Sequence, residues 1–256
     1  MSDVQVRADF GNARGLYTDL LVRSITNTIY ADAPLSMDGS PFNPANRQEG
    51  KDWPAVAHTM VGVERMKNLA DMVNLVIQEG IPGDLIETGV WRGGCCILMR
   101  GILAAHGITD RTVYVADSFD GLPPPNPDQY PADAGLNFHL CRALAISEDE
   151  VRRNFGRYGL LDDKVRFVKG FFQDTLSTLP AEQLALMRLD GDMYESTIVA
   201  LEALYPKLSP NGIVIIDDYG AISACAQAVN DFREKHHIEN TMHTIDWTGV
   251  YWRKSA

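Results

Sequence analysis

Short apolar runs alternate with helical segments along most of this chain. Two such runs, 184–189 and 212–216, flank a segment with the apolar spacing of a helix. Parallel strands need crossover connections, and these are usually helical, so the alternation predicts a parallel sheet covered on both faces. The fold class is therefore α/β. The terminal runs 241–246 and 249–253 predict a hairpin, which would place an antiparallel strand at one edge of the sheet.

The same pattern divides the chain into an N-terminal arm and loop (1–60) and a core domain (61–256). In the arm, residues 16–30 predict an amphipathic helix, and the Pro-, Asn- and Gly-rich residues 31–54 predict a long surface connection. In the core, further strands are predicted at 84–87, 112–116 and 165–168, and helices at 61–80, 94–106, 147–158, 173–179, 195–208 and 222–236. The irregular insertion at 119–150 is interpreted as a lid over the ends of the strands.

Charge and composition exclude several classes of protein. The 256 residues carry a formal net charge of −11, which argues against sequence-independent nucleic-acid binding. No apolar run reaches the roughly 20 residues of a membrane span, and Asp and Arg stand where a signal peptide would be apolar. The four cysteines have no C-x-x-C spacing and predict neither a disulfide framework nor a zinc site. We expect a cytoplasmic protein that binds a small molecule, not a membrane.

Aspartates follow two of the predicted strands. The run 184–189 leads into Asp190-Gly191-Asp192, and the run 212–216 leads into Asp217-Asp218. Each Asp alone is typical of a helix cap or a strand-to-helix turn. Three or four carboxylates at one rim would raise one another's pKa unless a cation held them, so a hard divalent ion bound by oxygen ligands is the favoured interpretation.

A glycine-rich turn follows the first strand of the core, in the sequence Glu87-Thr88-Gly89-Val90-Trp91-Arg92-Gly93-Gly94. Such a turn lets the backbone approach a nucleotide at the carboxyl ends of the strands. The glycine spacing differs from G-x-G-x-x-G, and the acidic Glu87 suits the cationic amino acid part of S-adenosylmethionine better than a pyrophosphate. Asp117, after the second strand, is placed to bind a ribose diol. These features favour S-adenosylmethionine over NAD.

The chain resembles the macrocin O-methyltransferase family, whose members methylate sugar hydroxyls of macrolide, aminocoumarin and related glycosylated natural products. The resemblance extends from Leu16 to Trp252. The motifs that carry it are His58-Thr59-Met60, the Glu87 to Gly94 turn, Ala116-Asp117-Ser118-Phe119, Asn154-Phe155, Tyr158 to Asp163, Asp190-Gly191-Asp192, Ile216-Asp217-Asp218-Tyr219 and Gly249-Val250-Tyr251-Trp252.

The resemblance implies a class I methyltransferase fold of seven strands, S-adenosylmethionine as methyl donor and Mg²⁺ held by Asp190, Asp217 and Asp218. It also implies oligomers, and the amphipathic arm independently favours a homo-oligomer, a dimer or tetramer. The residues predicted to bind the cofactor are Thr59, Met60, Glu87, Thr88, Gly89, Trp91, Arg92, Gly93, Asp117, Ser118 and Asp174.

As a mechanism we expect Asp190 to act as general base on a sugar hydroxyl, whose pKa Mg²⁺ would lower. His139 in the lid is the rival base, although a solvated loop histidine is the simpler interpretation, and Tyr219 is a further candidate for substrate contact. Two alternatives stay open. The chain could methylate a catechol or another vicinal diol, or it could be a cofactor-binding partner protein without catalysis.

Overall fold

A computed structural model describes residues 13–35 and 39–256. Within them, a seven-stranded sheet forms the centre of the molecule. Its strands are β1 (Asp84–Thr88), β2 (Val113–Asp117), β3 (Val165–Lys169), β4 (Leu184–Leu189), β5 (Leu208–Ile216), β6 (His243–Thr244) and β7 (Val250–Arg253). The strand order is β3-β2-β1-β4-β5-β7-β6. The five strands from β1 to β5 are parallel, and β7 pairs antiparallel with both β5 and β6.

Helices cover both faces of this sheet. They are α1 (Ala13–Ile25), α2 (Pro44–Glu49), α3 (Val63–Gln78), α4 (Gly94–Ala105), α5 (Glu148–Arg157), α6 (Phe172–Thr175), α7 (Tyr194–Leu204) and α8 (Ser223–Lys235). Helices α1, α3, α4 and α5 form one apolar core with one face of the sheet. Helices α7 and α8 form the second core on the opposite face. The α/β fold with an antiparallel edge is therefore confirmed.

The parallel strands end level with one another. Three backbone bonds continue the ladders past the strands: Gly89 N–H to Ala116 O, Asp190 N–H to Thr88 O, and Asp217 N–H to Leu189 O, at 2.9, 2.9 and 3.0 Å. Because carboxyl ends of parallel strands share one edge, the glycine turn and the aspartates all lie on one rim, as the sequence predicts.

The arm differs from its prediction. Helix α1 ends at Ile25, five residues early, because the chain turns there and Asn27 and Ala31 take positive φ angles of 51° and 56°. The predicted loop 31–54 contains α2. The first two free N–H groups of this helix donate to the Asn43 side chain. Residues 1–12 and 36–38 of the predicted arm lie outside the described residues.

The segment after β2 is irregular, as predicted. Three short 3₁₀ turns, Pro131–Asp133, Phe138–Leu140 and Arg142–Leu144, interrupt it before α5 begins. Short turns of this kind satisfy backbone groups locally without building a regular element. The predicted strand 241–246 is reduced to the two residues of β6.

Candidate active site

A cavity opens over the rim and passes under the lid. Its walls include the turn after β1, the ends of β2, β4 and β5, the start of α6 and the turn before β7. Leu122, Pro123, Phe138 and Leu144 of the lid segment line it from above. These apolar side chains lie over the strand ends, where ligands bind in open α/β sheets, and the lid stays a prediction.

The backbone shapes the half of the rim at β1 and β2. Gly89 has a φ of 80°, and a Cβ atom there would overlap the carbonyl oxygen of Asp190, so the turn accepts only glycine at this position. Asp117 accepts backbone N–H groups of Val90 at 2.7 Å and Phe119 at 2.8 Å, one on each carboxylate oxygen. The N–H of Trp91 is a further donor to this carboxylate, and its remaining lone-pair capacity can accept from a ligand hydroxyl. This half fits a nucleoside with a free ribose diol.

The predicted cofactor residues divide into two groups. Those that line the cavity are Thr59, Met60, Glu87, Gly89, Trp91, Asp117 and Ser118. The others take different positions. Arg92 donates to Pro54 O and Ala57 O of the arm, Gly93 precedes α4, Thr88 is fully buried in β1, and Asp174 is exposed in the first turn of α6. Gln173, next to Asp174, lines the cavity in its place.

Three carboxylates meet at the ends of β4 and β5. One oxygen from each of Asp190, Asp192 and Asp218 lies within 4.8 Å of the other two. Asp192 has a φ of 58°, uncommon for a residue with a side chain, and its N–H donates to Asp218 Oδ2 at 3.3 Å. Strained backbone of this kind clusters at functional sites. This set of oxygen donors fits a hard divalent cation such as Mg²⁺.

These carboxylates destabilise one another's charged forms. Burial, followed by the neighbouring carboxylates, raises the pKa of Asp192 to about 8 and that of Asp218 well above its ordinary value. Burial and the charge of Asp217 raise the pKa of Asp190 to about 6 against the opposing charge of Arg188. A cation among them would lower all three pKa values.

Asp217 does not belong to this group. One of its oxygens accepts a hydrogen bond from Arg65 and the other from Arg188, and all three side chains are almost fully buried. The structure thus places Asp192 in the carboxylate group where the resemblance implied Asp217. The reason is that α3 and β4 each bring a guanidinium to the end of β5. Sequence reasoning missed both arginines, although Arg188 was visible as a charged residue inside an apolar strand.

Arg188 also holds Glu87. Its Nη1 lies 2.5 Å from Glu87 Oε1 and 2.9 Å from Asp190 Oδ2, so one guanidinium bridges the two halves of the rim. The Cys96 thiol donates to the other Glu87 oxygen at 2.9 Å. Burial raises the pKa of Glu87 to about 7, and Arg188 opposes that shift. Because Glu87 also lines the cavity, it can meet a cationic group of a ligand.

Asp133 docks the lid on the rim. Its side chain is fully buried and accepts the N–H groups of Tyr194 at 2.6 Å and Glu195 at 3.0 Å, the first turn of α7. Met193 holds the N-cap position of that helix and cannot accept these bonds. The lid thereby supplies the cap of the helix that follows Asp192. A second anchor is the Trp91 indole N–H, which donates to Ala143 O at 2.8 Å.

The remaining candidates lie outside the cavity lining given by the described residues. His139 is half-buried in the lid beside Phe138, and the Tyr219 hydroxyl donates to Asn230 of α8 at 3.0 Å. The helix-cap interpretation of the aspartates also differs from the structure. The N-cap of α8 is Ile222, and the Asp218 side chain accepts from Asp192 instead.

Comparisons with known proteins extend this geometry. The sequence model of the macrocin-O-methyltransferase (TylF) family matches residues 12–254. The chain belongs to this family. It is 53% identical to 8-demethyl-8-(2,3-dimethoxy-α-L-rhamnosyl)-tetracenomycin-C 4'-O-methyltransferase of Streptomyces olivaceus, over 96% of this chain and 95% of that protein. It is 49% identical to mycinamicin III 3''-O-methyltransferase of Micromonospora griseorubida, over 94% and 97%. The solved structure of the O-methyltransferase NovP is 49% identical, with a TM-score of 0.92, and the match covers 95% of this chain and 100% of that one.

Two predictions are thereby confirmed. The chain is a macrocin O-methyltransferase family member, and it is an O-methyltransferase with the fold of S-adenosylmethionine-dependent enzymes. The alternative of a partner protein without catalysis is not supported. Within residues 13–35 and 39–256, no helix has the length and apolar character needed to cross a bilayer.

Proposed function

We propose that this family member transfers the methyl group of S-adenosylmethionine to a sugar hydroxyl of a glycosylated natural product, with Mg²⁺ as an essential ion. The observation that carries the proposal is the meeting of Asp190, Asp192 and Asp218 beside a glycine turn that fits a nucleoside cofactor. The names of the relatives, a tetracenomycin glycoside and a mycinamicin methyltransferase, support a sugar acceptor.

We further propose Asp190 and Asp218 as ligands of the ion, since both the predicted set and the observed group contain them. Bound Mg²⁺ would supply Lewis acidity that lowers the pKa of an acceptor hydroxyl. Asp217 stays a predicted ligand. Each of its oxygens accepts from an arginine and lies outside the group of three, so to serve as a ligand it would have to turn an oxygen toward that group.

The proton of the acceptor hydroxyl needs a base. Asp190, the predicted base, already accepts a hydrogen bond from Arg188 at 2.9 Å, which makes its carboxylate less basic. Asp192 has a carboxylate in the same group, and no arginine of the described residues bonds to it. We therefore propose Asp192 as the first candidate to take the proton at its carboxylate oxygen, with Asp190 as the alternative.

The buried groups around the site would orient the two substrates. Glu87 would meet the cationic amino acid part of the methyl donor, and Asp117 would accept from its ribose hydroxyls. The lid side chains Leu122, Phe138 and Leu144 would exclude water from the reacting atoms. We also propose a homo-oligomer. Leu20 and Tyr30 of the arm, 56% and 85% exposed, support it, and the mass in solution tests it.

Methyl transfer measured by mass spectrometry with and without chelator tests the ion. With a rhamnoside as acceptor, we expect excess chelator to lower the rate at least about 100-fold and Mg²⁺ to restore it. Asp190→Asn and Asp218→Asn should weaken Mg²⁺ binding in calorimetry. Asp192→Asn should lower kcat about 10²- to 10⁴-fold, and it should weaken Mg²⁺ binding less than the two ligand variants do.

Asp163→Asn is the matched control, since that carboxylate is 83% exposed and lies outside the rim. An unchanged rate in chelator would contradict the role of the ion. Transfer to catechol but not to any glycoside would move the function to the diol alternative. If Asp190→Asn lowers kcat without weakening Mg²⁺ binding, the base is Asp190.

A further inference from the structure

Two tryptophans line the cavity, and the proposed transfer chemistry uses neither of them. Trp53 of the arm and Trp247 of the turn before β7 both line the cavity, with 39% and 46% of their surface exposed. Ligand pockets are lined largely by apolar and aromatic side chains, and exposed apolar surface often marks a place where a ligand or partner binds.

The order of the strands places Trp247 on the acceptor side. The glycine turn and Asp117 follow β1 and β2, the carboxylates follow β4 and β5, and the turn that carries Trp247 precedes β7, on the far side of β5. Along the rim, the predicted cofactor residues therefore come first, the carboxylates next and Trp247 last. A ligand part that touches Trp247 lies beyond the carboxylates as seen from the cofactor.

Trp247 is held firmly in that position. Its indole N–H donates to Glu49 O of the arm at 2.7 Å, and Lys51 Nζ lies over the ring, 5.7 Å from its centroid. The preceding residue, Asp246, accepts the N–H groups of Thr248 and Gly249 at 3.0 and 2.7 Å. A ring fixed before binding loses little conformational entropy when a ligand stacks on it.

Arg65 connects the turn that carries Trp247 to Asp217 at the carboxyl end of β5. Its Nε donates to Asp246 Oδ2 at 2.9 Å while its Nη1 contacts Asp217, and Thr248 Oγ1 donates to Asp217 O at 2.8 Å. Asp246 and Thr248, the neighbours of Trp247, are thus part of the same buried network as the rim. Trp247 therefore belongs to the site and not to an unrelated surface.

We propose that Trp53 and Trp247 form the subsite for the aglycone of the acceptor, and that this aglycone is apolar or aromatic. The inference rests on the proposed function and deepens it. The reacting sugar lies at the carboxylates, and the next group outward meets the two indole surfaces. Flat apolar groups gain both buried area and ring stacking there.

Two probes distinguish the contribution of the aglycone to binding from that of the sugar. They are 2-naphthyl α-L-rhamnoside and methyl α-L-rhamnoside, which has the same sugar without the aromatic group. Their dissociation constants are measured by calorimetry in the presence of S-adenosylhomocysteine and Mg²⁺. We expect Trp247→Ala and Trp53→Ala each to weaken binding of the naphthyl glycoside about tenfold. The dissociation constant of the methyl glycoside should change less than twofold. Trp247→Phe should retain most of the naphthyl affinity, because a ring remains.

Leu161→Ala is the control, at a residue 42% exposed and away from the cavity, and it should leave both constants unchanged. Equal weakening of both probes would assign the tryptophans to the sugar and overturn the proposal. So would unchanged affinity for the naphthyl glycoside in both alanine variants, or no binding of it to the wild type. A changed oligomeric state with unchanged affinity would assign them to a subunit interface. Tryptophan-dependent binding without methyl transfer would contradict the proposed function alone.

Discussion

Backbone groups shape the rim at the ends of β1 and β2, whereas charged side chains shape it at the ends of β4 and β5. At the first half, Gly89 passes against Asp190 O, and Asp117 is fixed by two backbone N–H groups. At the second half, Arg65 and Arg188 hold Asp217 while three other carboxylates crowd together. The half proposed to bind the cofactor (the cofactor half) is therefore set by chain geometry, and the half proposed to bind the acceptor (the acceptor half) by a balance of charges.

This difference predicts different sensitivities. A backbone-built site should respond to added atoms and, apart from the ionisation of Glu87, little to salt, pH or Mg²⁺. A charge-built site should respond to all three, because ions and protons change the same energies that hold it together. The two halves meet at Arg188, whose guanidinium contacts both Glu87 and Asp190.

The largest effect should come from Gly89→Ala. The new Cβ would overlap Asp190 O and force two strand ends apart at a positive φ. We expect loss of measurable S-adenosylhomocysteine binding in calorimetry, or loss of soluble folded protein. Gly107→Ala is the matched control, since its φ is 69° but no atom lies within 4 Å of the added Cβ. Equal effects from both variants would mean that the positive φ alone, and not the contact with Asp190 O, causes the loss.

Replacing Arg188 with Met should have the next largest effect. It would leave Glu87, Asp190 and Asp217 short of a buried positive charge, and removing one partner of a buried ion pair costs about 3–5 kcal/mol. Urea unfolding measures the loss. Arg253→Met makes the same change in an exposed pair with Glu79 and should cost under about 1 kcal/mol. Similar losses for the two variants would refute a charge-built acceptor half.

Much of the rim could be predicted from sequence because strand ends and motif positions are local. Apolar runs located β4 and β5, and the aspartates that follow them had to share one edge once the sheet was parallel. The glycine turn was equally readable, since its glycines and Glu87 are consecutive with β1. What sequence could not supply was contact between distant segments. Arg65 meets Asp217 across 152 residues of chain, and Asp133 caps α7 from 61 residues away.

The carboxylate group contains Asp192 and not Asp217, and the reason is again contact between distant segments. Both residues follow strands, and the spacing does not tell which side chain points to the shared space. A positive φ at Asp192 turns its carboxylate toward Asp218, and two arginines from α3 and β4 draw Asp217 away. A local sequence pattern predicts neither effect, because both depend on the packing of elements that are far apart in the chain.

The smallest effect we predict is a pH dependence of the Mg²⁺-induced stabilisation. Asp192 has a pKa of about 8 in the folded protein against about 3.9 when unfolded, and that of Asp218 is also well raised. Between these values the folded state binds more protons than the unfolded state, so stability in chelator should fall as pH rises. Mg²⁺ replaces the protons, so it should stabilise more at pH 8 than at pH 6.5.

Differential scanning calorimetry in chelator and in Mg²⁺ measures this, and we expect the Mg²⁺-induced rise in Tm to be about 5 °C larger at pH 8 than at pH 6.5. His58 works in the opposite direction, because burial lowers its pKa to about 4 and its contribution grows with pH up to its unfolded pKa near 6.5. Starting at pH 6.5 removes that contribution, and the difference between the two conditions cancels that of Glu87, whose pKa of about 7 lies inside the range. Asp192→Asn should abolish most of the pH dependence, whereas Asp163→Asn should keep it. A Mg²⁺ effect that is equal at both pH values would mean that these carboxylates are already ionised without the ion, and that the acceptor half is as rigid as the cofactor half.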